Sequence, residues 1–313
     1  MKKLLAIILA ILTIMTYGCA AMEEQLEEKT EGYTFTDDLG REVTVEHPER
    51  VACLISSFAD IWCLAGGADQ IVAATNATWI YFDLPLREDV VNLGATKELN
   101  MEQLIACEPD LVLASCGTDR NVELEDSFEQ MGINVAYFEV SDFQDYLNLL
   151  HLSTTITGRE NLYETHGVQV ESQIQTVLEK SRNRGTAPKV LCMRASASMV
   201  TVKNSQDNVL GEMLCSLGCV NIADSDASLL ENISLERILE ADPEYIFIAQ
   251  RGDDREGMIA HVEAMMRENP AWLQLTAVKE GKVFYMDKNL YNLKPNHRWG
   301  EAYEKLEEIL EHG

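Results

Sequence analysis

The side chains able to do chemistry in this chain form a recognition set rather than a reaction set. Arg194 and Arg251 stand where apolar, strand-like runs end, and Lys294 and Arg298 stand in a late loop. Guanidinium forks suit carboxylates and other anionic oxygens, which they grip through paired N–H donors. Phe58, Trp79 and Tyr81 offer flat faces for the apolar or planar part of a ligand. Ser57, Cys116, Thr118 and Asn292 add small polar groups at comparable places. The competing reading of each arginine is a plain ion pair with a neighbour such as Asp253 or Glu301. Signatures of catalysis are missing: there is no G-x-S-x-G, H-E-x-x-H or phosphate-binding P-loop, and no G-x-G-x-x-G after a strand. The six histidines, His47, His151, His166, His261, His297 and His312, never fall at the i, i+4 spacing of a ligand pair. A resident metal built on them is not expected, and neither is an enzyme or a bound cofactor.

These candidates matter only if strands deliver them to one place. Val51–Ile55, Ile71–Thr75, Leu111–Ala114 and Val135–Phe138 are short apolar runs alternating with helical stretches. Buried parallel strands need such runs, so a doubly wound α/β sheet is expected, with its ligands at the strand carboxyl ends. Ser56-Ser57 reads as a helix cap, and Asn76–Leu84 as an aromatic loop. Val122–Met131 reads as one helix and Phe143–Ile156 as another, broken at Gly158. Arg159–Arg182 reads as a single helix with apolar steps of three and four, about 36 Å long at 1.5 Å per residue. A second alternating set follows: Val190–Met193, helix 208–217, Tyr245–Ala249, a late strand 282–286, a loop 287–295 and a final helix 298–311. A tight turn at Leu39-Gly40 makes 33–45 a hairpin ahead of it all.

A repeat ties the halves together. Asn100-Met101-Glu102 through Glu108-Pro109-Asp110 returns 134 positions later as Ser234-Leu235-Glu236 through Asp242-Pro243-Glu244. Each copy reads as a polar cap, a short helix with Glu in its first turn, a proline stop and a buried strand. Proline is expected to hold its predecessor extended. A spacing this wide means two similar lobes rather than a solenoid.

Composition sets the compartment. The 313 residues are 46% hydrophobic and 25% charged, as in a soluble globular protein, and carry a formal charge of −27. That charge argues against nucleic acid and against electrostatic docking on anionic lipid. Lys2-Lys3, an apolar run Leu4–Met15 and Tyr17-Gly18-Cys19 form an export signal too short to span a bilayer. Cys19 after Gly18 resembles a bacterial lipoprotein site, although Thr16 stands where Leu is usual. Residues 1–18 are then the signal and 19–32 an acidic tether on the outer face of the membrane. Loss of 1–18 removes Lys2 and Lys3 and leaves −29. Seven cysteines remain, an odd number with no C-x-x-C. Buried filler is their expected role. The alternative, a Cys-based metal or redox protein, would use Cys53, Cys116 and Cys192; a third reading is a ligand sensor uncoupled from transport.

Thr36-Asp37-Asp38-Leu39-Gly40-Arg41-Glu42-Val43, Pro48-Glu49-Arg50-Val51, Ser57-Phe58-Ala59-Asp60-Ile61 and Leu64-Ala65-Gly66-Gly67 occur in that order. As a set, with both repeat copies and the central helix, they resemble the iron-siderophore and vitamin B12 class of ABC-transporter substrate-binding proteins over about residues 33–311. The resemblance implies two Rossmann-like lobes, 33–157 and 184–313, joined by one rigid helix over 158–183, with a ligand cleft between them. It implies a monomer that captures a metal chelate (iron-siderophore, haem or corrinoid) for a permease dimer and its ATPase subunits. Glu102 and Glu236 fall where the family carries one permease-docking glutamate per lobe. The cleft residues do not map onto one ligand.

Overall fold

Two parallel sheets organise the computed structural model, which describes residues 32–206 and 208–313. The signal segment, Cys19 and residues 20–31 of the tether lie outside the described residues. The hairpin β1 (Tyr33–Thr36) and β2 (Glu42–Val45) is antiparallel and turns at Gly40, whose φ of +79° suits glycine. The first sheet holds β3 (Val51–Cys53), β4 (Ile71–Ala74), β5 (Val91–Asn92), β6 (Leu111–Ser115) and β7 (Val135–Phe138) in the order β5-β4-β3-β6-β7. The second holds β8 (Lys189–Ser196), β10 (Val220–Asn221), β11 (Tyr245–Gln250) and β12 (Val283–Met286) in the order β10-β8-β11-β12. Strand β9 (Met199–Lys203) runs antiparallel to β8. Chain order reverses between β3 and β6 in one sheet and between β8 and β11 in the other, the switch points where open α/β sheets bind ligands.

Helix Phe143–Ile156 ends before Gly158, at φ +65°. The chain is then helical from Asn161 to Asn183, but not uniformly α as the sequence suggested: a π turn, Glu164–Val168, separates Asn161–Tyr163 from Gln169–Asn183. There Gly167 lies so close to the Tyr163 ring and Leu147 that a Cβ would sit 3.0 and 3.2 Å from them. One apolar core joins the inner faces of both sheets. It runs from Cys53, Leu113 and Phe138 through Leu150, Val170 and Ile174 to Cys192, Phe247 and Trp299. The outer face of each sheet has a core of its own.

The repeat is structural as well as sequential. Helix Met101–Ala106 and helix Leu235–Ala241 occupy matching places. Asn100 caps the first by accepting the Gln103 N–H at 3.1 Å, whereas Ser234 makes no cap bond with its side chain. Both copies end in an acid at φ +44°, Glu108 and Asp242. The left-handed turn replaces the extended geometry expected before proline, and it stops each helix in one residue. Two residues on, Asp110 accepts the amides of Glu49 and Arg50, and Glu244 accepts that of Lys189. Arg50 and Lys189 in turn donate to the helix-end carbonyls of Cys107 and Ala241, at 2.9 and 3.1 Å.

Other local expectations change. Ser56 and Ser57 lie inside helix Ser56–Leu64, whose cap position is Ile55, without a side-chain cap bond. The aromatic loop contains helix Ala77–Tyr81 and the late loop begins with helix Lys288–Tyr291. Helix 122–131 divides into Asp119–Val122 and Glu125–Met131.

Candidate functional site

Beyond the carboxyl ends of β3 and β6 lies a cavity of about 300 Å³. Helix Ser56–Leu64 presents Ser57 and Phe58 to it, the last residue of β6 and the loop after it present Ser115, Gly117 and Thr118, and the second lobe contributes Asn292, Leu293 and Lys294. Of the residues named from sequence, Ser57, Phe58, Thr118, Asn292 and Lys294 therefore come together. Phe58 is buried edge-on against Phe138, with ring centroids 6.3 Å apart. Missed were Ile55, Phe82, Ser115, Leu293 and the segment Glu139–Ser141. Strand β7 leads directly into Glu139, so its carboxyl end was the available signal.

Lys294 is half-buried, and among the described residues no carboxylate lies within ion-pair distance of it. Burial pushes its ammonium below the usual lysine value, against the pull of Asp145, Glu212, Glu139 and Asp142. Glu212 shows the counterpart: burial, then Asp142 and Asp145, push its carboxyl up to about 7, with Lys294 opposing. Lys294 thus lies among acids of both lobes, Glu139, Asp142 and Asp145 from the first and Glu212 from the second.

Trp79, Tyr81, Cys116, Arg194, Arg251 and Arg298 do not line that cavity. Trp79 is 43% exposed on helix Ala77–Tyr81. The Tyr81 ring lies 4.1 Å beneath the Lys288 ammonium, its hydroxyl donates to Asp253 at 3.4 Å, and Lys288 pairs with Asp253. This three-residue contact joins the lobes, and neither Lys288 nor Asp253 was a sequence candidate for it. Arg298 is gripped by Glu301 through two bonds of 2.7 and 3.0 Å, the plain ion pair weighed against a ligand role.

Arg194 and Arg251 are placed differently. Strand pairing sets Val51 against Leu111 in one lobe and Val190 against Tyr245 in the other, so Arg194 corresponds to Ile55 and Arg251 to Gly117. Both counterparts line the first lobe's cavity. Arg251 is exposed, touching Met199 Sδ at 3.8 Å; Arg194 is half-buried with its Nε unpartnered. Among the described residues neither forms an ion pair. Burial, then the neighbouring Arg251 charge, lowers the Arg194 pKa.

The seven described cysteines are free. Cys53 and Cys192 are buried in separate sheets, which keeps them from sharing a metal with Cys116, and burial pushes both thiols far up. Among the described residues, no group of three or more His, Cys, Asp or Glu could hold a metal ion, and no helix is long and apolar enough to cross a membrane.

Two α/β lobes, with a cavity at the first lobe's switch point that a stretch of the second lobe closes, suit a solute-binding protein. The chain belongs to the periplasmic binding protein family, which matches residues 51–290. It is 22% identical to the putative ABC transporter substrate-binding lipoprotein YhfQ of Bacillus subtilis, over 94% of this chain and 93% of that one. It is 26% identical to the Fe(3+)-citrate-binding protein YfmC of the same organism, over 93% and 91%. The crystal structure of Staphylococcus aureus SirA complexed with staphyloferrin B superposes with a TM-score of 0.68 at 19% identity, covering 89% of this chain and 98% of SirA.

Proposed function

We propose that this protein captures a ferric chelate bearing carboxylate-type oxygens in the cleft between its lobes and hands it to an ABC permease dimer with its ATPase subunits. The observation that carries the reading is the unpaired couple Arg194 and Arg251 at the second switch point, in a chain whose net charge is −27. Guanidiniums left without carboxylates amid so many are available for an anionic ligand. The Fe(3+)-citrate-binding relative supports this cargo class. Trp79, exposed on helix Ala77–Tyr81, supplies apolar contact. Glu102 and Glu236, exposed on matching helices and without ion pairs among the described residues, are the permease-docking pair. Cys19 carries the lipid that holds a monomer at the outer face of the membrane, as the lipoprotein relative suggests. A Cys-based redox role is not favoured, because Cys53 and Cys192 are inaccessible and apart. Titration of tryptophan fluorescence with ferric citrate tests the reading. Saturable binding that weakens in the Arg194→Ala, Arg251→Ala variant supports it; tight binding indifferent to both arginines overturns it.

A further inference from the structure

The second lobe reaches the first lobe's cavity through one short stretch, Asn292–Lys294, which is pinned to the first lobe on either side. Upstream, Lys288 meets Tyr81 and Asp253 in a half-open contact, the Asp253 side chain being 65% exposed and that of Lys288 13%. Water screens such a contact and leaves it weak. Downstream the pin is Asn296, 0% exposed, whose Nδ2 donates to Asp60 Oδ2 at 2.7 Å and to the Ser57 carbonyl at 3.0 Å. A buried bond to a carboxylate is among the stronger hydrogen bonds and is expensive to leave unmade. Asn296 also holds φ at +51°, a left-handed conformation that asparagine tolerates better than most residues. Its two acceptors lie on helix Ser56–Leu64, and Ser57 itself faces the cavity. One amide therefore fixes the roof of the cavity to its floor.

We propose that Asn296 is the positioning residue of the cargo site, holding the strap Asn292–Lys294 over the amino-terminal turn of helix Ser56–Leu64 and so setting the height of the cavity between the lobes. Asn296 itself does not touch cargo. The inference rests on the cleft being the cargo site, but it makes a claim about lobe spacing that holds without any ligand.

The test uses Asn296→Gly, which keeps the left-handed backbone and deletes the amide, and Asp60→Asn, which keeps an acceptor oxygen for Nδ2. Spin labels on helix Glu125–Met131 and helix Arg255–Glu268 report the distance between lobes in ligand-free protein. Ferric citrate titration reports binding. Expected for Asn296→Gly are a broadened distance distribution and affinity weakened about tenfold, the scale of one lost charge-assisted hydrogen bond. Asp60→Asn should keep the narrow distribution, with affinity within about threefold of the parent. Lys288→Met, which cuts the open pin, should also leave the distribution narrow. An unchanged distribution in Asn296→Gly overturns the inference, as does equal broadening in Asp60→Asn. If the parent protein ignores ferric citrate, the cargo reading fails, while the distances still judge the role of Asn296.

Discussion

At the amino ends of their central strands the two lobes are near copies; at the carboxyl ends they are opposites. Glu108 and Asp242 share one left-handed angle, and Arg50 and Lys189 tie matching helix ends to matching strands. Across the sheet the likeness ends. Where the first lobe offers Ile55 and Gly117, the second offers Arg194 and Arg251.

The largest expected effect tests the repeat through its paired glutamates, which stand in the first turns of the two matching helices. Exchanging Glu102 and Glu236 together for alanine should abolish uptake in cells while ferric citrate binding stays unchanged; uptake at the parental rate would remove the reason for the duplication. At the divergent end, alanine at Arg194 and Arg251 should weaken binding about a hundredfold, roughly 3 kcal/mol. Ser57→Ala and Thr118→Ala in the other lobe should stay under about tenfold, each removing one neutral hydrogen bond. Equal losses from both lobes would mean that the asymmetry is not what reads the ligand.

The seam between the lobes gives a third test. Asp60 is buried, which pushes its carboxyl up to about 6, while the Asn296 bond and His166 pull the other way. The groups around it are His166 on the π turn, with His297 at 6.1 Å from that ring, Tyr146 on helix Phe143–Ile156, and Cys63 on its own helix. A carboxyl raised above its unfolded value of 3.8 favours the folded state below that pH, and the advantage is lost as pH rises through about 6. Asp60→Asn lacks this loss. Its stability relative to the parent should rise by about 2 kcal/mol between pH 4 and pH 7 in urea melts. A parallel pair of pH profiles would show that the seam does not titrate there. The smallest effect separates the two repeat copies themselves. Asn100→Ala should cost about 1 kcal/mol, because its cap bond is made, and Ser234→Ala only a few tenths.

What could be read from the sequence follows from how locally it is encoded. The repeat, the apolar strands and the glycine stops are written within ten residues or so, and they led to two α/β lobes. Most switch-point candidates were legible because they immediately follow such strands; Arg194 instead lies within β8, which runs past the expected Met193 to Ser196. Strand β9 was not legible: its turn, Ser196–Met199, carries neither glycine nor proline. Nor were the contacts between lobes. Tyr81 and Asp253 are separated by 172 residues, and Asn296 meets Asp60 across 236. No periodicity marks such a pair, and the isolated residues look like ordinary loop polars.

The matched thiols carry a consequence of a different kind. Cys53 pairs in register with Leu113, and Cys192 with Phe247, so the two sulfurs occupy the same address in the two sheets, each sealed from water. An alkylating reagent can reach either one only when the surrounding sheet opens. The chain therefore carries one chemical clock per lobe, identical in setting. Because a single apolar core runs through both sheets, the two clocks should keep the same time.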